Sequence, residues 1–176
     1  MGKTLVRELG RGTLSGRIVE VEAYPIGDAA GHAFRGHTPG NHSIFREHGR
    51  AYVYFIYGSC YMMNVTSERP GIGGAVLLRA VEPLEGTNLM QRRRGTARVR
   101  DLTRGPGRLA SAMRIDRRLD GVDLCAPGPL WLGTAVRPVG RIGRSVRIGV
   151  TREMNRRLRL YERGNPFVSG PKRLRV

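Results

Sequence analysis

The chain has 176 residues, long enough for one domain with a sizeable core, and carries 31 basic against 14 acidic residues for a net charge of +17 and a pI near 11.4. That balance points to a polyanionic partner, nucleic acid first, and argues against a host for small neutral ligands. No apolar run approaches the ~18 residues of a membrane helix, and Met1 to Glu8 lacks the apolar centre of a signal peptide, so the expected location is the cytoplasm or nucleoid, away from membranes.

Nearly all of the positive charge is arginine; Lys3 and Lys172 are the only lysines. Guanidinium is the better bidentate partner for phosphate. The two cysteines, Cys60 and Cys125, lack metal-ligand spacing and read as ordinary buried residues.

Gly16 to Tyr24 is the first predicted strand, with Val19, Val21 and Ala23 on one face and Ile18, Glu20, Glu22 and Tyr24 on the other. Two carboxylates beside an aromatic are costly to bury unless a cation or hydrogen-bond donors meet them. Pro25 to Gly49 follows as a long Gly-, Pro-, His- and Asn-rich loop, of the kind that is usually functional when part of a compact domain. All four histidines lie in it, at spacings that give no common helix face and no metal motif; His32 reads as a pocket residue and His37, His42 and His48 as solvated.

Tyr52–Tyr57 and Cys60–Val65, around Gly58-Ser59, predict a hairpin with a type II′ turn and Tyr57 at its tip, where a ring could wedge into a base stack. Gly74 to Val81 predicts a strand ended by Glu82-Pro83, with Leu77 and Arg79 on one face; Arg79 needs a carboxylate partner, Glu22 or Glu20. Leu84 to Arg94 predicts a helix. Arginines at 92, 93, 94, 98, 100, 104 and 108 then form a basic segment suited to phosphate. A short helix is expected after Gly105-Pro106, with Leu109 and Met113 on one face and Arg104 and Arg108 placed to contact phosphate near its start. Residues 119–143 read as short elements around Trp131, and 146–150 and 158–162 as closing strands.

An acid and an arginine on strands, tyrosines around them, a wedge and a basic rim together suggest chemistry on a base lifted out of DNA. A zinc deaminase is excluded by the absence of H-x-E and P-C-x-x-C motifs. Two alternatives stand beside this: a two-carboxylate O-glycoside hydrolase using Glu20 and Glu22, and a non-catalytic architectural DNA binder.

Gly16 to Tyr24, His32-Ala-Phe-Arg-Gly36 with Thr38-Pro39 and Asn41, Tyr52 to Asn64, Val76 to Pro83, Gly105-Pro106-Gly107 and Asn165 to Ser169 run in order along the chain. In these motifs the sequence resembles the alkyladenine (3-methyladenine) DNA glycosylases. The resemblance implies a monomeric, monofunctional base-excision enzyme acting on damaged purines in double-stranded DNA, needing neither metal nor other cofactor. Its implied fold is mixed α/β (α+β), one domain around a curved antiparallel sheet with a protruding hairpin. It implies that Glu22 is the general base and that Arg79 helps to hold the attacking water. Tyr24, His32 and Tyr54 correspond to the walls that sandwich the flipped base, Tyr57 to the wedge, and Asn64 to the gate against guanine. The backbones of His32 and Val168 are expected to hydrogen-bond base and water respectively. The family also places a helix ahead of Gly2-Lys3, which is expected to be absent here, and a methionine is common where Ile44 stands.

Overall fold

A computed structural model describes residues 1–10 and 12–174. Its fold is α+β: an open, wholly antiparallel sheet of eight strands among the described residues, with two short helices packed on it. The strands are β1 (Lys3–Leu9), β2 (Gly12–Tyr24), β3 (Ala51–Ile56), β4 (Cys60–Thr66), β5 (Ala75–Glu85), β6 (Leu130–Ala135), β7 (Ile142–Ser145) and β8 (Arg159–Glu162). The helices are α1 (Thr87–Arg94) and α2 (Pro106–Ala112).

The sheet runs β3-β4-β5-β2-β1-β6, with β8 also on β2 and β7 on β8. Strand β2 organises it. One edge of β2 pairs with β5 from Ser15 to Tyr24, while the other is shared, residues 12–17 with β1 and residues 20–22 with β8. Glu20 and Glu22 therefore lie where β2 has a strand on each side, and both are fully buried.

The main core lies on the helix side, where Leu5, Leu14, Ile18, Val21, Val53, Met63, Leu78 and Val81 meet Met90, Leu109 and Met113. The expected pairing of Leu109 with Met113 is found, and both are fully buried. On the other side of the sheet a smaller cluster of Ile44, Tyr52 and Ala75, with Ala33, Phe45 and Tyr54, sits under the 25–49 loop. Neighbours along β3 illustrate the division: Val53 enters the main core while Tyr52 and Tyr54 join the second cluster, as the two-residue period of a strand requires.

Several local expectations are corrected. Ile18 and Val21 lie three residues apart, yet both enter the core, because the β2–β5 register shifts between Ile18 and Glu20 and again between Glu20 and Val21. An inserted residue reverses the facing order, which strict alternation cannot anticipate. Strand β5 continues through Pro83 to Glu85, with Pro83 opposite Gly16 beside a further register shift. A Cβ on Gly16 would lie 2.6 Å from the Val81 side chain, so only glycine allows the strands so close there. The N-terminal hairpin partner β1 was not anticipated, residues 146–150 form a loop rather than a strand, and Cys125 is exposed while Cys60 is half-buried.

The β3–β4 hairpin forms around a different turn from the one expected. Ile56 pairs with Cys60, the Ser59 amide donates to the Ile56 carbonyl at 3.2 Å, and Tyr57 and Gly58 both take positive φ, 55° and 63°. Two positive values are the mark of a type I′ rather than a type II′ turn. Glycine adopts this conformation freely; tyrosine does so at a cost.

Candidate active site

A cleft of about 900 Å³ opens on the side of the sheet that carries Tyr52 and Tyr54, with Pro106 at the start of α2 on its edge. Its floor comes from the cleft-facing residues of the central strands, Asn64 on β4 and Leu77 and Arg79 on β5. The 25–49 loop supplies one wall, including His32, and residues 148–152 supply another. Tyr24, Tyr54 and Tyr57 complete the lining. The structure thus brings together Tyr24, His32, Tyr54, Tyr57, Asn64 and Arg79, taken from four separate parts of the chain.

Glu22 lies behind this lining with no exposed surface. Its Oε1 accepts the Ile148 amide at 2.7 Å, and its Oε2 accepts the Tyr24 hydroxyl at 3.1 Å and faces Arg79 Nη1 at 3.1 Å. All three donors belong to residues that line the cleft. The Tyr24 hydroxyl is in turn raised above the ordinary phenol range, first by burial and then by the Glu22 charge, so it remains a donor.

Glu20 is held differently. Its Oε1 accepts from Arg79 Nε at 2.9 Å, Arg159 Nε at 2.7 Å and the Ser169 hydroxyl at 2.9 Å, and its Oε2 accepts the Ser169 amide at 2.5 Å. Burial alone would raise this carboxyl, but Arg79, Arg159 and the Ser169 amide outweigh it and hold the group below the usual carboxylate range. Arg79 thus meets both candidate partners, its Nε on Glu20 and its Nη1 on Glu22.

The aromatic residues of the cleft pack against one another. The His32 and Tyr54 rings lie 4.2 Å apart, and His32 Nδ1 is 2.8 Å from the Tyr52 hydroxyl. Burial lowers the His32 pKa, favouring the neutral imidazole, and pushes the Tyr54 phenol up to about 12. Tyr24 has the Arg147 guanidinium over its ring at 4.6 Å. Tyr57 projects from the hairpin with 76% of its surface exposed.

Asn64 is buried in the floor, where its Nδ2 donates to the Tyr52 carbonyl at 3.2 Å, fixing the orientation of the amide. Asn41 shapes the 25–49 loop by accepting the Thr38 amide and donating to the carbonyls of His32 and Gly36. His37, His42 and His48 are exposed, as is His32 at the cleft, and among the described residues no three His, Cys, Asp or Glu side chains are grouped as metal ligands.

Other expected site residues stand apart from the cleft. Val168 is buried outside the lining, and its carbonyl accepts Arg104 Nε at 2.8 Å. Arg104 and Arg108 both face Asp101, at 4.0 and 3.9 Å; the Arg104 side chain is largely covered and that of Arg108 half exposed. Sequence reasoning missed Arg159, Arg147 and the Ile148 amide, and gave no role to Ser169 although it closes the Asn165 to Ser169 motif. Nothing local marks the two arginines, and a backbone donor has no sequence signature.

The profile of the methylpurine-DNA glycosylase (MPG) family matches residues 1–166. The chain belongs to the methylpurine-DNA glycosylase family. Relatives named "Putative 3-methyladenine DNA glycosylase" include one from Mesorhizobium japonicum, 60% identical over 174 residues that cover 99% of this chain and 84% of the relative. Another, from Paraburkholderia phytofirmans, is 49% identical over 176 residues, 100% of this chain and 83% of the relative. A third, from Chlorobium phaeovibrioides, is 47% identical over 96% of this chain and 87% of its own length. The glycosylase family sets aside both the architectural DNA binder and the O-glycoside hydrolase. Among the described residues of this glycosylase no helix is long and apolar enough to cross a membrane.

Proposed function

We propose that the glycosylase removes alkylated or deaminated purines from duplex DNA by hydrolysis, with Glu22 as the general base. One observation carries this reading: the buried Glu22 carboxylate is held by three donors that all line the cleft, so a water seated among them is within reach of the carboxylate. In this scheme Glu22 takes a proton from that water, the water oxygen bonds to C1′ of the deoxyribose, and the bond from C1′ to the purine nitrogen breaks with its electron pair passing to the base. The sugar becomes oxocarbenium-like on the way, and the negative charge of Glu22 stabilises it. A cationic alkylpurine already carries the positive charge that makes it a good leaving group, so one carboxylate suffices.

The base has to leave the duplex to reach this site. Tyr57, exposed at the hairpin tip in a conformation that costs tyrosine energy, is suited to fill the space the base vacates. The extruded base would stack between Tyr24 and the His32–Tyr54 pair. Aromatic faces also attract a cationic purine. Asn64 would exclude normal guanine by clashing with its exocyclic amine, and Arg104 and Arg108 would contact phosphates, Arg108 the more directly because it is exposed. The expected partner is damaged double-stranded DNA, bound by a monomer.

Incubation of purified protein with duplexes carrying one defined lesion each, scored for free base, tests the reading. Release of alkylated or deaminated purine, with undamaged duplex left intact, is the expected result. Binding without release from any lesion would overturn it.

A further inference from the structure

Behind the Tyr24 wall lies an ion pair that the hydrolytic scheme does not use. Asp28 and Arg147 have side chains with no exposed surface, and Arg147 grips the carboxylate with both terminal nitrogens, Nη1 on Oδ2 at 2.7 Å and Nη2 on Oδ1 at 3.1 Å. Nη1 also donates to the Ala23 carbonyl at 3.0 Å, tying the pair to the end of β2. The guanidinium covers one face of the Tyr24 ring.

Each partner belongs to a segment that builds a wall of the cleft. Asp28 accepts the Ala30 amide at 2.9 Å, and its own carbonyl accepts the Gly31 amide at 2.9 Å, which sets the turn leading into His32. Arg147 precedes Ile148, whose amide holds Glu22 at 2.7 Å. On the rim, Arg156 reaches Asp28 at 3.2 Å and also pairs with Glu153, which accepts the Ala29 amide at 3.0 Å.

We propose that Asp28 and Arg147 are the positioning residues of the Glu22 site, fixing the Ile148 amide against the carboxylate and the Tyr24 ring against the cleft in a single clamp. The inference rests on Glu22 being the base. Stability alone accounts poorly for such a pair, because burying two charges costs about as much as their attraction returns, and apolar replacements are often neutral. Lysine cannot replace Arg147, since a point charge lacks the planar fork.

The test is the double variant Asp28→Asn/Arg147→Met, which removes both charges together and keeps an acceptor for the Ala30 amide. Single-turnover base release is measured with saturating enzyme well below the melting temperature, beside melting curves and affinity for a duplex carrying a non-cleavable abasic analogue. The clamp predicts near-native melting, affinity within about threefold, and release roughly tenfold to hundredfold slower, the scale of a misplacement near one ångström. Native-rate release by the folded double variant would overturn it. If the double variant does not fold, Arg147→Lys decides: roughly threefold to tenfold slower release at unchanged affinity supports the clamp, because charge survives and the fork does not, while a native rate refutes it. Glu22→Gln in the same assay keeps the two readings apart, since release by that variant removes the general base itself, whatever the clamp variants do.

Discussion

Strand β2 carries a buried ion pair at each end, and the two are built for different work. Toward its start, Arg17 meets Glu162 of β8; toward its finish, Glu22 meets Arg79 of β5. Around Glu162 every direction is taken. Arg17 donates to both oxygens at 2.5 and 2.9 Å, the Gly140 amide adds a bond at 2.8 Å and Asn165 another at 2.9 Å. These contacts, the Arg17 hydrogen bond first, draw its pKa down to about 2. Around Glu22 the donors are fewer and all belong to the cleft wall. Burial and pairing are common to both ends, so neither marks a catalytic carboxylate; what distinguishes Glu22 is that its partners face an opening.

The largest expected effect breaks the comparison at the cleft end. Glu22→Gln should retain lesion-DNA affinity while slowing base release roughly 10²- to 10⁴-fold, the range for a general base. Single-turnover rates beside binding isotherms measure it. Glu20→Gln should slow release less, because Glu20 meets the cleft lining only at Arg79 and its other donors, Arg159 and Ser169, lie outside that lining; equal losses would argue for paired carboxylates.

At the other end the same change should act on folding. Glu162→Gln leaves the buried Arg17 with only the partly exposed Glu82, at 3.6 Å, as counter-charge, which costs up to about 3–5 kcal/mol. Chemical denaturation should show that loss, while molecules still folded release base at the native rate. Acid should reproduce part of it without mutation. A carboxylate whose folded pKa is depressed stabilises fully above its unfolded value, 4.5, and loses that contribution as pH falls through its folded value of about 2. On the order of 2–3 kcal/mol should therefore disappear over that window, read from denaturation curves at successive pH values. Glu20, also depressed, should add to the loss.

Tyr57→Ala should slow release from duplex roughly tenfold or more, the scale of an unstacking cost of a few kcal/mol, and should affect single-stranded substrate less. Equal losses on both would remove the wedge role. The smallest effect is expected for Asn64→Ser, which should leave lesion release nearly intact and relax exclusion of guanine; unchanged discrimination would refute the gate.

The two ends of β2 also show what a sequence makes legible. Arg79 could be matched in advance to Glu22 or Glu20, and it meets both, because each sits at an alternating position on a β-rich run with a charge that demands a partner. Tyr57 was readable from the glycine after it, although the turn type was not, since that depends on which residues pair across the hairpin. The bulges beside Glu20 were invisible, because a register shift is decided by the neighbouring strand. Arg159, Ser169 and Arg147 act on residues more than one hundred positions away. In a chain this rich in arginine, nothing local distinguishes the few that are buried.

The central claim is that water, held by Glu22, attacks the sugar. A side-chain amine would instead form a Schiff base, which borohydride traps. Lys3 and Lys172 are both exposed and outside the cleft lining, and Met1 is outside it as well. Borohydride treatment during turnover of a lesion duplex should therefore yield free base, no covalent complex, and strands that break only after alkali or heat. A trapped adduct at Lys3, Lys172 or the terminal amine would contradict the account.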